Sequence, residues 1–137
     1  MRKIEFIAVH CTATDKNTTV ESILNYWKNT LGWKNPGYHF IVDQYGKTTN
    51  LLPIIEVSNG VQGYNSKTIN IAYIGGIVNG MPKDTRTEAQ KKALKEYLYG
   101  LKKHFPNAII QGHRDFPDVH KACPCFNAKD EYDNLIS

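Results

Sequence analysis

No apolar run in this sequence approaches the roughly 18 residues that a membrane-crossing helix needs. The chain opens on two basic residues, Arg2 and Lys3, as an export leader does. The apolar stretch that follows is short, is interrupted by Glu5 and lacks a small-residue cleavage site, so synthesis in the cytoplasm without a signal peptide is expected. A disulfide framework is not expected either. Cys11, Cys123 and Cys125 are an odd number of cysteines, and a bridge across the single proline between the last two would be geometrically awkward. Free thiols, or thiolates on a metal, are the better reading. There is no dense arginine stripe and no recognisable nucleic-acid motif, so no nucleic-acid partner is expected. The net charge of +4 and pI near 8.9 are mild and select no class of partner. Repeats, low-complexity tracts and linkers rich in Pro, Gly or Ser are missing too, which leaves residues 1–137 as one domain.

What is present is globular composition, 41% hydrophobic and 22% charged over 137 residues, enough for one sizeable core. Residues 4–10 read as a mostly buried strand ending at His10. Thr18 and Glu21 have capping-box spacing, and Ile23, Leu24, Trp27 and Leu31 then share a helical face that Gly32 would stop. Tyr38 to Val42 and Thr48 to Leu52 form a hairpin about the turn 43–47. Thr68 to Val78 carries the strongest strand signal, with Gly75-Gly76 marking a bulge or a close backbone approach. Thr85 and Glu88 suggest a second capping box, opening a helix whose apolar stripe is Leu94, Tyr97, Leu98, Leu101 and Phe105. A short strand at 108–111 leads to Gly112-His113, and a last short helix falls somewhere in 127–136. Strands and helices interleave but one strand pair is a hairpin. The expected class is therefore α/β, a mixed central sheet flanked by helices.

Three potential ligands stand at element ends, where function tends to sit. His10 closes the first strand, His113 follows the strand 108–111, and Cys123 lies in the loop beyond it. If the two strands are neighbours, these side chains converge at one sheet edge. Two imidazoles and a thiolate suit a catalytic zinc, which takes three protein ligands and keeps a fourth position for water. A Cys nucleophile paired with His113 is the sharper competitor, and spacing alone does not separate the two. Cys11 should point to the opposite face from His10 and pack as a small hydrophobe. His39 alternates with Tyr38 and reads as core or as a partner of the site. Taken alone, Tyr38 is an ordinary strand aromatic and Lys121 a solvated loop charge.

The order of motifs adds a resemblance. Val9-His10-Cys11-Thr12-Ala13-Thr14, Gly37-Tyr38-His39-Phe40, Gly63-Tyr64-Asn65, Ile74-Gly75-Gly76, Gly112-His113-Arg114-Asp115 and Lys121-Ala122-Cys123-Pro124 run in the order seen in type-2 N-acetylmuramoyl-L-alanine amidases. These share a fold with peptidoglycan recognition proteins, and the chain resembles the short phage-encoded amidase lysozymes from about residue 4 to about residue 126. The resemblance implies hydrolysis of the amide between N-acetylmuramic acid and L-alanine in peptidoglycan, with Zn2+ as cofactor and the cell wall as the site of action. It implies zinc ligation by His10, His113 and Cys123, and catalytic roles for Tyr38 and Lys121. No membrane span and a monomeric state are expected. Recognition proteins that bind peptidoglycan without cutting it are the alternative class, although they usually lack the metal ligands. Two departures bear on substrate contact. Gly60 stands where phage relatives have a histidine of a His-Ala-Lys-Gly-Tyr-Asn motif, and Asn70 and Ala72 replace a small Gly and a Cys in the strand that follows.

Overall fold

The computed structural model describes residues 2–133. Its centre is a five-stranded sheet in the order β3-β2-β4-β1-β7, formed by β1 (Phe6–Cys11), β2 (Phe40–Val42), β3 (Thr48–Asn50), β4 (Thr68–Tyr73) and β7 (Ile109–Gly112). β1 lies between β4 and β7 and pairs with both in parallel, β2 joins β4 in parallel, and only the β2–β3 hairpin is antiparallel. The mixed sheet expected from the sequence is the one observed. A parallel strand is covered on both faces, and β4 is buried at all six positions.

The long strand signal ends early. After Tyr73 the backbone turns through Gly75 (φ 143°) and Gly76 (φ 99°) into a small separate hairpin, β5 (Ile77–Val78) with β6 (Met81–Pro82). A Cβ on Gly76 would lie 2.5 Å from Cys11 Sγ, so the close approach anticipated at this pair is real.

Helix α2 (Glu88–His104) covers one sheet face. Its Leu94, Leu98 and Leu101 pack with Ile7, Val9, Ile69, Ile71, Tyr73 and Ile110 in the main core, while Tyr97 stays 40% exposed. The capping box uses Thr87 and Gln90 rather than Thr85 and Glu88. Thr85 Oγ1 is engaged elsewhere, accepting the Gly76 N–H at 2.9 Å. The cap of α1 (Val20–Asn25) is likewise Thr19, not Thr18, and Thr19 Oγ1 accepts from Ser22 N–H. A single π-helical turn, Tyr26–Thr30, extends α1, and only Ile23 and Trp27 of the expected stripe are buried; Leu24 and Leu31 face outward. Gly32 stops it in the left-handed region.

Helix α3 (Ala128–Tyr132) falls in the interval expected for the last helix. Arg86 fastens it, bonding Asp84, Glu131 and the Tyr132 hydroxyl with its guanidinium 3.4 Å from the centre of the Phe126 ring. Among the described residues no helix is long and apolar enough to cross a membrane. The face opposite α2 is different in kind. There Ala8, Val61 and Phe116 form a small apolar cluster on a face that also buries polar residues, His10, His39, Ser58 and Asn70 among them.

Candidate metal centre and active site

The parallel pairing of β1 and β7 decides the site. It aligns Val9 with Gly112, which sets His10 at the carboxyl end of one strand beside His113 at the end of its neighbour. The carboxyl ends of parallel strands are where ligands collect in such sheets. The two imidazole rings lie 4.7 Å apart between centroids.

Cys123 reaches them from the following loop, and local bonds hold that loop in place. Arg114 N–H donates to the Cys123 carbonyl, and the Tyr73 hydroxyl donates to the Pro124 carbonyl at 2.6 Å. A Cβ at Gly112 would lie 2.6 Å from Pro124 Cδ, so glycine there lets the loop close. Asp115 accepts the Gly112 N–H and caps the short turn His113–Asp115, a local structural role. Cys123 Sγ accepts the Cys11 N–H at 3.1 Å.

The donor atoms of His10, His113 and Cys123 all lie within 4.8 Å of one another. At bond lengths of about 2.0–2.3 Å, small side-chain rotations let one ion reach all three. Burial is the main cause of depressed imidazole pKa values here, His10 falling to about 4 and His113 to about 3, with the Lys121 ammonium lowering both further. Both rings are therefore neutral at neutral pH, the form that ligates metal. His10 Nε2 meets Asn70 Oδ1 at 2.7 Å and its Nδ1 faces Cys123 Sγ at 4.0 Å. The set fits a borderline-soft divalent ion with one position left open.

Tyr38 and Lys121 share the pocket of about 210 Å³ that these three residues line. Tyr38 lies with its ring 4.9 Å from that of His10 and 5.3 Å from that of Trp27, and its hydroxyl donates to the Cys11 carbonyl at 3.3 Å. Gly37 makes that packing possible, since a Cβ there would lie 3.0 Å from the Trp27 ring. Burial holds the Tyr38 phenol well above its ordinary pKa, so it remains a donor. Lys121 is exposed on the rim, where the pocket opens into a larger groove of about 870 Å³ past Tyr64, Lys67 and His120.

Cys11 turns to the α2 side as expected, buried in the main core. Its thiol is pushed up, first by its bond with Cys123 and then by burial, which suits packing rather than reactivity. Cys125 stands apart from the three-donor group, 4.0 Å from Cys11 Sγ. His39 is fully buried behind the site, not in it. Ser58 and Asn70 were not read from the sequence as site residues. The available signal was the substitution at position 70, a polar residue in the middle of an apolar strand.

Buried neutral imidazoles make an acid-sensitive apoprotein. Unfolded histidine titrates near 6.5, so below that pH the unfolded chain takes up protons that the folded site refuses. The stability from burying them neutral is complete above about 6.5 and is lost as pH falls through about 4 for His10 and about 3 for His113. For His10 alone the effect is on the order of 3 kcal/mol. Urea midpoints of metal-free protein should fall steadily across this window, and a flat profile would contradict neutral buried rings.

The mixed sheet and its flanking helices have the fold shared by amidases and peptidoglycan recognition proteins. The fold of bumblebee PGRP-SA matches with a TM-score of 0.77, covering 96% of this chain and 81% of that one at 17% identity. Residues 1–126 match the N-acetylmuramoyl-L-alanine amidase family, and the chain belongs to it. It is 34% identical to the endolysin of Klebsiella phage KP32 across 94% of this chain and 91% of that protein. The Ph2119 endolysin from the Thermus scotoductus bacteriophage is 27% identical, with a TM-score of 0.78 over 90% of this chain and 79% of that one.

Proposed function

We propose that this protein is a zinc-dependent N-acetylmuramoyl-L-alanine amidase that cuts the bond between N-acetylmuramic acid and L-alanine in bacterial peptidoglycan. The observation that carries the reading is the convergence of His10, His113, Cys123, Tyr38 and Lys121 on one pocket in a member of the amidase family. His10, His113 and Cys123 would hold the ion. Zinc in that place supplies a water acidified from about 16 towards 7 and a positive charge beside the scissile carbonyl.

The chain's own residues do the rest. Attack on the lactyl carbonyl leaves negative charge on its oxygen, and the Lys121 ammonium on the rim is free to meet it. The Tyr38 hydroxyl, neutral and 3.3 Å from a backbone carbonyl it holds only weakly, is the second donor available to that oxygen or to the attacking water. No carboxyl group lines the inner pocket among the described residues, so the leaving amine receives its proton from another source. The groove past Tyr64 and Lys67 offers room for glycan or stem peptide on one side of the cut. All five side chains come from one chain, so a monomer suffices. Like the endolysins it resembles, it would meet its substrate in the cell wall after release from the cytoplasm.

The test is mass spectrometry of purified peptidoglycan digested by metal-loaded, chelated and zinc-restored protein. Free stem peptides starting at L-alanine, lost on chelation and regained with zinc, are the expected products. Wall that is bound but intact in all three samples would replace this reading with a binding module.

A further inference from the structure

Asn70 stands in the middle of β4, in register with Ala8, and sends its side chain to the same sheet face as His10. It is fully buried, and an amide buried without partners is costly. Each end of this amide has one. Oδ1 meets His10 Nε2 at 2.7 Å, and Nδ2 donates to Ser58 Oγ at 2.8 Å. Ser58 in turn faces His39 Nδ1 at 3.3 Å, which also accepts the Asn70 backbone N–H at 3.0 Å. His39 Nδ1 therefore carries no proton, and its Nε2–H is left to donate to the Glu56 carbonyl at 2.7 Å.

The chain of bonds is directional. His39 Nδ1 has no proton to give, so towards it Ser58 can only donate, sharing the one lone pair that also takes the Asn70 N–H. Ser58 then has lone pairs to offer, so it takes the Asn70 amide NH2, and Asn70 is left presenting its oxygen to His10. An oxygen there requires a proton on His10 Nε2. Nδ1, the nitrogen that faces Cys123 Sγ, then keeps its lone pair.

The space for this amide comes from Gly60. A Cβ at that position would lie 2.3 Å from Asn70 Cγ and 2.4 Å from Oδ1, closer than any real contact. Gly60 and Asn70, two of the positions where the chain departs from the motifs it resembles, thus meet behind the same histidine.

We propose that Asn70 is a positioning residue that holds His10 in its Nε2–H tautomer and so presents Nδ1 to the metal, with Gly60 as the opening that admits it and Ser58 and His39 setting its orientation. This rests on the zinc reading of His10, His113 and Cys123. Partners behind a ligating histidine fix its tautomer and ring angle, and losing one weakens metal affinity or activity about 10–100-fold.

The test has two parts. Nitrogen-15 NMR of the imidazoles in metal-free wild-type protein, above the titration range, should find His10 protonated at Nε2; an Nδ1–H tautomer overturns the proposal without any variant having to fold. Zinc affinity is then measured by competition with a chromogenic chelator. Asn70→Ala should bind zinc about 10–100-fold more weakly and give a mixed His10 tautomer, as should Gly60→Ala, which alters no polar atom. Asn70→Asp, which keeps an oxygen towards His10, should recover most of the affinity. Wild-type affinity and tautomer in Asn70→Ala would sink the proposal while leaving the zinc reading intact. A wild-type protein that binds no zinc would remove the zinc reading itself, and this inference with it.

Discussion

Cys123→Ala should remove zinc binding and amidase turnover together. The loss of affinity should exceed the 10–100-fold typical of a residue that only supports a ligand, because a first ligand and its negative charge disappear. Equilibrium dialysis gives the first quantity and release of L-alanyl stem peptides the second. Cys125→Ser should leave both near wild type, since its sulfur contacts Cys11 Sγ and the Gly76 carbonyl rather than the imidazoles. The pair also separates the zinc amidase from a cysteine nucleophile, the competitor that spacing left open. A nucleophilic thiol survives chelation and is lost to alkylation. A zinc thiolate is lost to chelation, returns with zinc, and is shielded from alkylation while the metal is bound. Activity that persists in chelated wild-type protein would move Cys123 from ligand to nucleophile.

Lys121→Ala and Tyr38→Phe should each lower kcat by about 10²–10³, equivalent to about 2.7–4 kcal/mol of transition-state stabilisation, with zinc still bound stoichiometrically. Both changes are mild for the fold. Lys121 is exposed and carries no structural ion pair among the described residues. Tyr38→Phe keeps the ring against Trp27 and gives up one long hydrogen bond, worth about 1 kcal/mol or less. Metal content by atomic absorption, thermal melting and turnover on purified wall separate the cases. Near-wild-type turnover in either variant would remove that residue from the mechanism, and a fall that tracks lost zinc would make it a support of the metal instead.

Much of the fold was legible because its signals are local. The apolar run before His10, the hairpin about 43–47 and the leucine stripe of α2 each reflect a periodicity that the backbone imposes on its own neighbours. The cap of α2 lies two residues beyond the expected one for a tertiary reason. Thr85 and Thr87 both offer a hydroxyl at the start of α2, but Thr85 is occupied by Gly76 N–H, while Thr87 also reaches the Gln44 carbonyl. Leu31 faces outward because the π-helical turn after Asn25 shifts the phase on which the predicted stripe depended, whereas Leu24 lies ahead of that turn on the outer side of α1.

The candidate site divides the same way. Residue types and the order of the motifs named the candidate donors, since two histidines and a cysteine after strand-like segments carry metal chemistry in their side chains. That the three meet was decided by the sheet, which placed β1 beside β7 across nearly the whole length of the chain. Tyr38 came beside the three-donor group through the pairing of β2 with β4, and Lys121 through the loop after β7, from positions that alone read as an ordinary aromatic and a loop charge. The buried relay behind His10 was beyond the sequence entirely. His39, Ser58 and Asn70 lie on separate segments, and a hydrogen bond between buried polar groups depends on a few tenths of an ångström that only the packed sheet and the room left at Gly60 supply.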